Sequence, residues 1–165
     1  MENNINEYKF LFNNEEKRTL IIKEFEQNLN TYIQEIERKW TETKTIDKNS
    51  TKFNEYSQTV LQELQKLNDE LRKMSELKKE NFKKDVNILL NLEKENYKMT
   101  LGIYINKLNC FDLLKNDEDD YKLLQKEKEI STMKTNLSSI REEINDFITN
   151  LNKIYYFNFK NKNGK

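Results

Sequence analysis

The sequence predicts an all-α protein, an elongated antiparallel bundle of about four long amphipathic helices arranged as helical hairpins with coiled-coil-like packing. Three observations carry that expectation. The 165 residues include no proline and only two glycines, Gly102 and Gly164, so the many tight turns of a β-fold have almost nothing to build them. Charged residues make up 35% of the chain, and the dominant ones, Lys and Glu, are good helix formers. Apolar side chains recur at steps of three and four, which puts them on one face of a helix.

The first helix is expected over about residues 5–43. Its stripe is Ile22, Phe25, Leu29, Tyr32 or Ile33, Ile36 and Trp40. The period is lost over residues 44–51 (KTIDKNST), where Asp47, Asn49, Ser50 and Thr51 are turn and N-cap residues, so a loop is expected. The second helix begins near Phe53 and carries Phe53, Tyr56, Val60, Leu64, Leu67, Leu71 and Met74, close to the 3.5-residue period of a coiled-coil seam. Residues 78–81 (KKEN) form either a turn or a bend in a continuing helix. The third helix carries Phe82, Val86, Leu89, Leu90, Tyr97, Leu101, Tyr104, Ile105 and Leu108.

Residues 109–120 (NCFDLLKNDEDD) break the pattern, and their final acidic residues favour the positive end of the helix that follows. That last helix has the most regular stripe: Ile130, Met133, Leu137, Ile140, Ile144, Phe147, Leu151 and Ile154. Residues 1–157 are expected to form a single helical domain and residues 158–165 a disordered tail. Each stripe holds about two apolar residues in seven, and helices with such narrow stripes often bury them against further partners, a second copy or another protein.

Missing atoms exclude much chemistry. Without histidine there is no Ser-His-Asp or Cys-His triad and no two-histidine metal motif. One cysteine, Cys110, makes neither an internal disulfide nor a four-ligand zinc site. Two distant glycines make no phosphate-binding loop. The run from Asn116 to Asp120 lacks the glycine and closing glutamate of a calcium loop. Carboxylate pairs such as Glu142 and Glu143 suit a solvated helix face. No catalytic, cofactor-binding or metal-binding residue is expected, no small-molecule substrate, and no enzyme.

Lys plus Arg equals Asp plus Glu at 29 each, so direct nucleic-acid binding is expected to be weak or absent. No stretch approaches the roughly 20 apolar residues of a membrane span, and the start of the chain lacks the pattern of a secretory signal, so an intracellular location is expected. Three features could mark a partner surface, of which Cys110 with Phe111 is expected to pack in the corner rather than react. Trp40 either anchors an interface or caps the core. The stretch KIYYFNFKNK interleaves Tyr155, Tyr156, Phe157 and Phe159 with Lys153, Lys160 and Lys162. Its aromatics either finish the core, contact a protein, or stack on nucleic acid or lipid.

Read in order, the blocks resemble the eukaryotic "required for excision" B-type DNA repair domain family. Residues 15–33 (EEKRTLIIKEFEQNLNTYI) look like its opening helix, with a charged start, a mid-helix phenylalanine and a tyrosine near the end. FNEYSQTV, with Phe53, Tyr56 and Val60, looks like the second block, and residues 93–105 (EKENYKMTLGIYI), with Met99-Thr100-Leu101, are similar to the third. The last helix matches in pattern only. The link between the second and third blocks has no proline or glycine, where relatives can carry them. The resemblance implies a non-enzymatic accessory role in DNA excision repair through protein contacts, and hence the nucleus. It carries no catalytic residue with it. Long charged helices with narrow seams equally suit a structural subunit of a ciliary or cytoskeletal assembly.

Overall fold

A computed structural model describes residues 3–45, 50–115 and 120–164. They form four helices: α1 (Asn3–Thr43), α2 (Ser50–Glu76), α3 (Glu80–Lys115) and α4 (Asp120–Asn163), with no strand among the described residues. At 1.5 Å per residue the 44-residue α4 is about 66 Å long, so the bundle is elongated, as the sequence suggests.

The direction of each helix follows from its cross-bundle contacts. On α1 and α2, Asn14 meets Leu67 and Asn28 meets Tyr56. On α3 and α4, Asn96 meets Arg141 and Asn106 meets Met133. In both pairs one partner's number falls as the other's rises, so the neighbours are antiparallel. Between α1 and α3, Tyr8 meets Asp85 and Phe25 stacks on Tyr97, so those two run parallel. The topology is up-down-up-down, with α1 and α3 both contacting α2 and α4.

The apolar stripes fill the interior. Along α4 the buried residues Ile130, Leu137, Ile144 and Leu151 recur every seventh position, and Met133, Ile140 and Phe147 between them are half-buried. One core cluster holds Leu11, Leu71, Phe82, Val86, Leu89, Leu90, Ile144 and Leu151. A second holds Ile22, Phe25, Leu29, Val60, Leu64 and Tyr104, with Phe53 packed against Tyr104 at 4.3 Å between ring centres. Ile103, Ile130 and Leu137 extend the core along the α3–α4 seam, where Cys110 packs half-buried.

Two boundaries and two stripe positions differ from expectation. The α3 helix does not break at Asn109: Phe111 is buried, and its packing carries the helix to Lys115. The acidic run at residues 116–119, and residues 46–49 of the first loop, lie outside the described residues. The α4 helix continues to Asn163, over most of the stretch read from sequence as a disordered tail. Ile105 and Ile154, both placed on core stripes by their spacing, are exposed.

The turn from α2 to α3 is three residues, Leu77 to Lys79, built without glycine or proline. Lys78 N–H donates to the Ser75 carbonyl at 3.1 Å, and the Lys78 ammonium reaches Glu7 at 3.3 Å, pinning the turn against the start of α1. At the end of α1, Lys44 takes a left-handed φ of 55° and donates its N–H to the Trp40 carbonyl at 2.9 Å. That closing position normally favours glycine.

Candidate functional site

Between the two main apolar clusters lies a layer of polar side chains to which all four helices contribute. On α1, the spacing of Asn14, Glu15 and Arg18 puts the three on the inward face, one turn before Ile22. Arg18 is only 1% exposed. Its Nη1 donates to Glu15 Oε2 at 2.8 Å, and its Nη2 donates to Asn14 Oδ1 at 2.6 Å and to Asn68 Oδ1 of α2 at 2.9 Å. Asn14 Nδ2 in turn donates to the Leu67 carbonyl at 2.9 Å.

The layer continues through α3 to α4. Asn96 Nδ2 donates to Glu93 Oε2 at 3.4 Å, and Thr100 Oγ1 donates to the Asn96 carbonyl at 2.8 Å. Arg141 of α4 closes the network: Nε donates to Asn96 Oδ1 at 3.1 Å, and Nη2 donates to Thr100 Oγ1 at 3.3 Å and Glu26 Oε2 at 2.7 Å. Buried charges persist only when paired and hydrogen-bonded, and this layer supplies those partners.

Glu15 and Glu93 face each other inside it. Burial, and then the neighbouring Glu93 carboxyl, push Glu15 up to about 9, against the opposing pull of Arg18. Glu15 Oε1 is buried and accepts no hydrogen bond among the described residues. A proton held on Glu15 would let it donate to Glu93. Two carboxyls with one proton are the raw material of acid-base catalysis. Here Glu15 lines none of the described recesses.

The Glu26–Arg141 bridge crosses the seam between α1 and α4 and separates two recesses. One, of about 240 Å³, is lined by Ile22, Glu93, Asn96 and Ile144 among others. The other, of about 380 Å³, has a floor of Leu29, Ile103, Tyr104 and Leu137 and carries Lys107 and Lys134 on its walls. Among the described residues no group of three acidic or thiol side chains is placed to hold a metal ion, and no helix is long and apolar enough to cross a membrane. Burial, reinforced by Glu127 and Glu129, pushes the Cys110 thiol up, which opposes thiolate formation.

The five partner-binding candidates do not form one surface. Trp40 is half-buried at the far end of α1, with the Lys44 ammonium 5.6 Å from its ring centre. The aromatic stretch lies at the other end, where α4 passes the start of α1. There the candidates divide. Tyr155 turns inward, edge-on to Phe12 at 5.9 Å, and continues the core. Tyr156 and Phe157 are 61% and 66% exposed, with exposed Ile154 and Lys153 beside them and Lys160 following. The Phe159 side chain lies outside the described residues.

Sequence reasoning missed the polar layer. A signal existed. Continuing the α1 stripe backwards from Ile22 in steps of four, three, four and four lands on Arg18, Glu15, Leu11 and Glu7, all of them buried. Comparison with protein-family models, with curated proteins and with solved structures gives no match to this chain.

Proposed function

We propose that this protein is a non-enzymatic helical accessory protein that binds an acidic segment of a partner protein through the outer face of the last turns of α4. One observation carries the reading: Tyr156 and Phe157 stand exposed on a helix that has no acidic side chain after Asp146, but has Lys153 and Lys160 beside them. Exposed aromatics are the usual anchors of protein interfaces, and lysines around them favour a carboxylate-bearing partner. The absence of histidine and of a glycine-rich loop supports a role without catalysis.

The cellular setting proposed is DNA excision repair in the nucleus, supported by the family resemblance of the helical blocks. The alternative is a structural subunit of a ciliary or cytoskeletal assembly, supported by the narrow heptad seam of α4.

The test is native purification of the tagged protein beside its Tyr156→Ala/Phe157→Ala variant. Recovery of excision-repair components by the first and not the second supports the proposal. Recovery of tubulin-associated or axonemal proteins favours the structural alternative. Equal recovery by both removes α4 as the contact. Tight binding of a short single-stranded oligonucleotide, lost in the variant, would make the aromatic end a nucleic-acid site instead.

A further inference from the structure

The larger recess of the α1–α4 seam has a composition that the packing of the bundle does not require. Its floor is apolar and buried: Leu29, Ile103 and Leu137. Tyr104 completes that floor, and its buried hydroxyl has no hydrogen-bond partner among the described residues. Three cations, Lys107, Lys134 and Arg141, line the recess against one carboxylate, Glu26. Glu26 is already engaged by Arg141 at 2.7 Å. Neither lysine has a carboxylate within ion-pair distance among the described residues.

Two ammonium groups beside one apolar hollow repel each other, and an anion between them would relieve that repulsion. Lys107 is half-buried, and its ammonium is held below the usual lysine range by burial and by Lys134, with Glu26 and Glu37 opposing. At about 380 Å³ the recess falls within the range of small-ligand sites.

We propose that this recess binds a small amphipathic organic anion, its apolar body against Leu29, Ile103 and Leu137 and its anionic head between Lys107 and Lys134. A carboxylate on an aliphatic body is the simplest member of that class. The head gains two charge-assisted hydrogen bonds and relieves the repulsion between the lysines. The body covers floor residues that all belong to the core.

The full chain is titrated calorimetrically with decanoate, with decanol and with inorganic phosphate. Decanoate is expected to saturate one site per chain, with decanol and phosphate each weaker by roughly tenfold or more. Lys107→Gln/Lys134→Gln is expected to weaken decanoate by a similar factor, and Lys73→Gln, on the distant α2, to leave it unchanged. Circular dichroism checks the fold of each variant. Because Lys134 is exposed, Lys134→Gln alone keeps the test decisive should the double variant unfold, with an expected loss of roughly threefold. Non-saturating decanoate binding, equal binding of decanol, or a Lys134→Gln affinity equal to wild type overturns the proposal. Phosphate binding as tight as decanoate reduces the site to one that reads charge alone, and overturns the amphipathic class.

Discussion

The Arg141 guanidinium and the Glu26 carboxylate meet at 2.7 Å across 115 residues of sequence, joining α4 to α1 where the two helices otherwise leave an open seam. Both side chains are more than a third exposed, so solvent screens the pair and it contributes little alone. Arg141 also donates to Asn96 and Thr100. Arg141→Ala is therefore expected to destabilise by about 1–2 kcal/mol, and Glu26→Gln by less than about 1 kcal/mol. Chemical denaturation of the two single variants and the double variant checks the order.

Arg18 is the opposite case. Its guanidinium is sealed inside the bundle and bonded to Asn14, Glu15 and Asn68. Removing one member of such a buried set strands the others, so Arg18→Ala is expected to cost about 3–5 kcal/mol. A denaturation midpoint within error of wild type would show that the polar layer is not held by this residue.

The Glu15 carboxyl gives the fold a pH dependence of definite sign. Its folded value, about 9, lies above the ordinary 4.5, so the folded chain holds a proton that the unfolded chain releases. The stability linked to that proton is fully present below pH 4.5 and is lost as the pH rises from there through 9. Glu15→Gln keeps the shape without the titration, so it is expected to flatten that slope and to exceed wild type in stability near pH 9. A slope unchanged by Glu15→Gln would assign the dependence to another group.

Gly102 lies within α3, where glycine costs about 1 kcal/mol relative to alanine. A methyl group there would come 2.5 Å from Cε of Met133, the free end of a flexible side chain that can turn aside. Gly102→Ala is expected to raise the melting temperature by a few degrees, whereas Gly102→Leu is expected to lower it. A drop for alanine would mean that Met133 has no other place to go.

Tyr156 and Phe157 are exposed, so Tyr156→Ala/Phe157→Ala is expected to change stability by less than about 1 kcal/mol while removing partner binding. The inward Tyr155→Ala, which strips an aromatic contact from Phe12, is expected to be the more destabilising. Thermal melts of both separate the surface from the core.

The residues themselves explain which parts of this fold were legible. Ile130, Leu137, Ile144 and Leu151 are all apolar at a seven-residue repeat, so hydropathy alone locates the inward face of α4. Near the start of α1 the equivalent seam positions hold Glu7, Glu15 and Arg18, which a hydropathy pattern assigns to water. Their burial depends on partners 50 or more residues away, such as Asn68 and Glu93, which no local window contains. The end of α3 was lost for a different reason: Cys110, Phe111, Leu113 and Leu114 bunch together instead of falling three and four apart, so no single face stands out, although Phe111 is the buried one. At the aromatic end, composition marked the stretch but not which way each side chain faces. The division between Tyr155 inside and Tyr156 and Phe157 outside came only from the phase of the helix passing Phe12.

The polar layer also decides how this molecule comes apart. Its apolar interior is not one continuous column, because the Leu11 and Phe25 clusters are separated at the level of Arg18, Asn68, Glu93 and Arg141. Fraying that starts from the Trp40 end meets a crossing of charge-assisted bonds before it reaches the other half, and the reverse holds from the Tyr155 end. Amide exchange should therefore fall into two blocks with different protection, and the boundary between them should fall at the same height on all four helices.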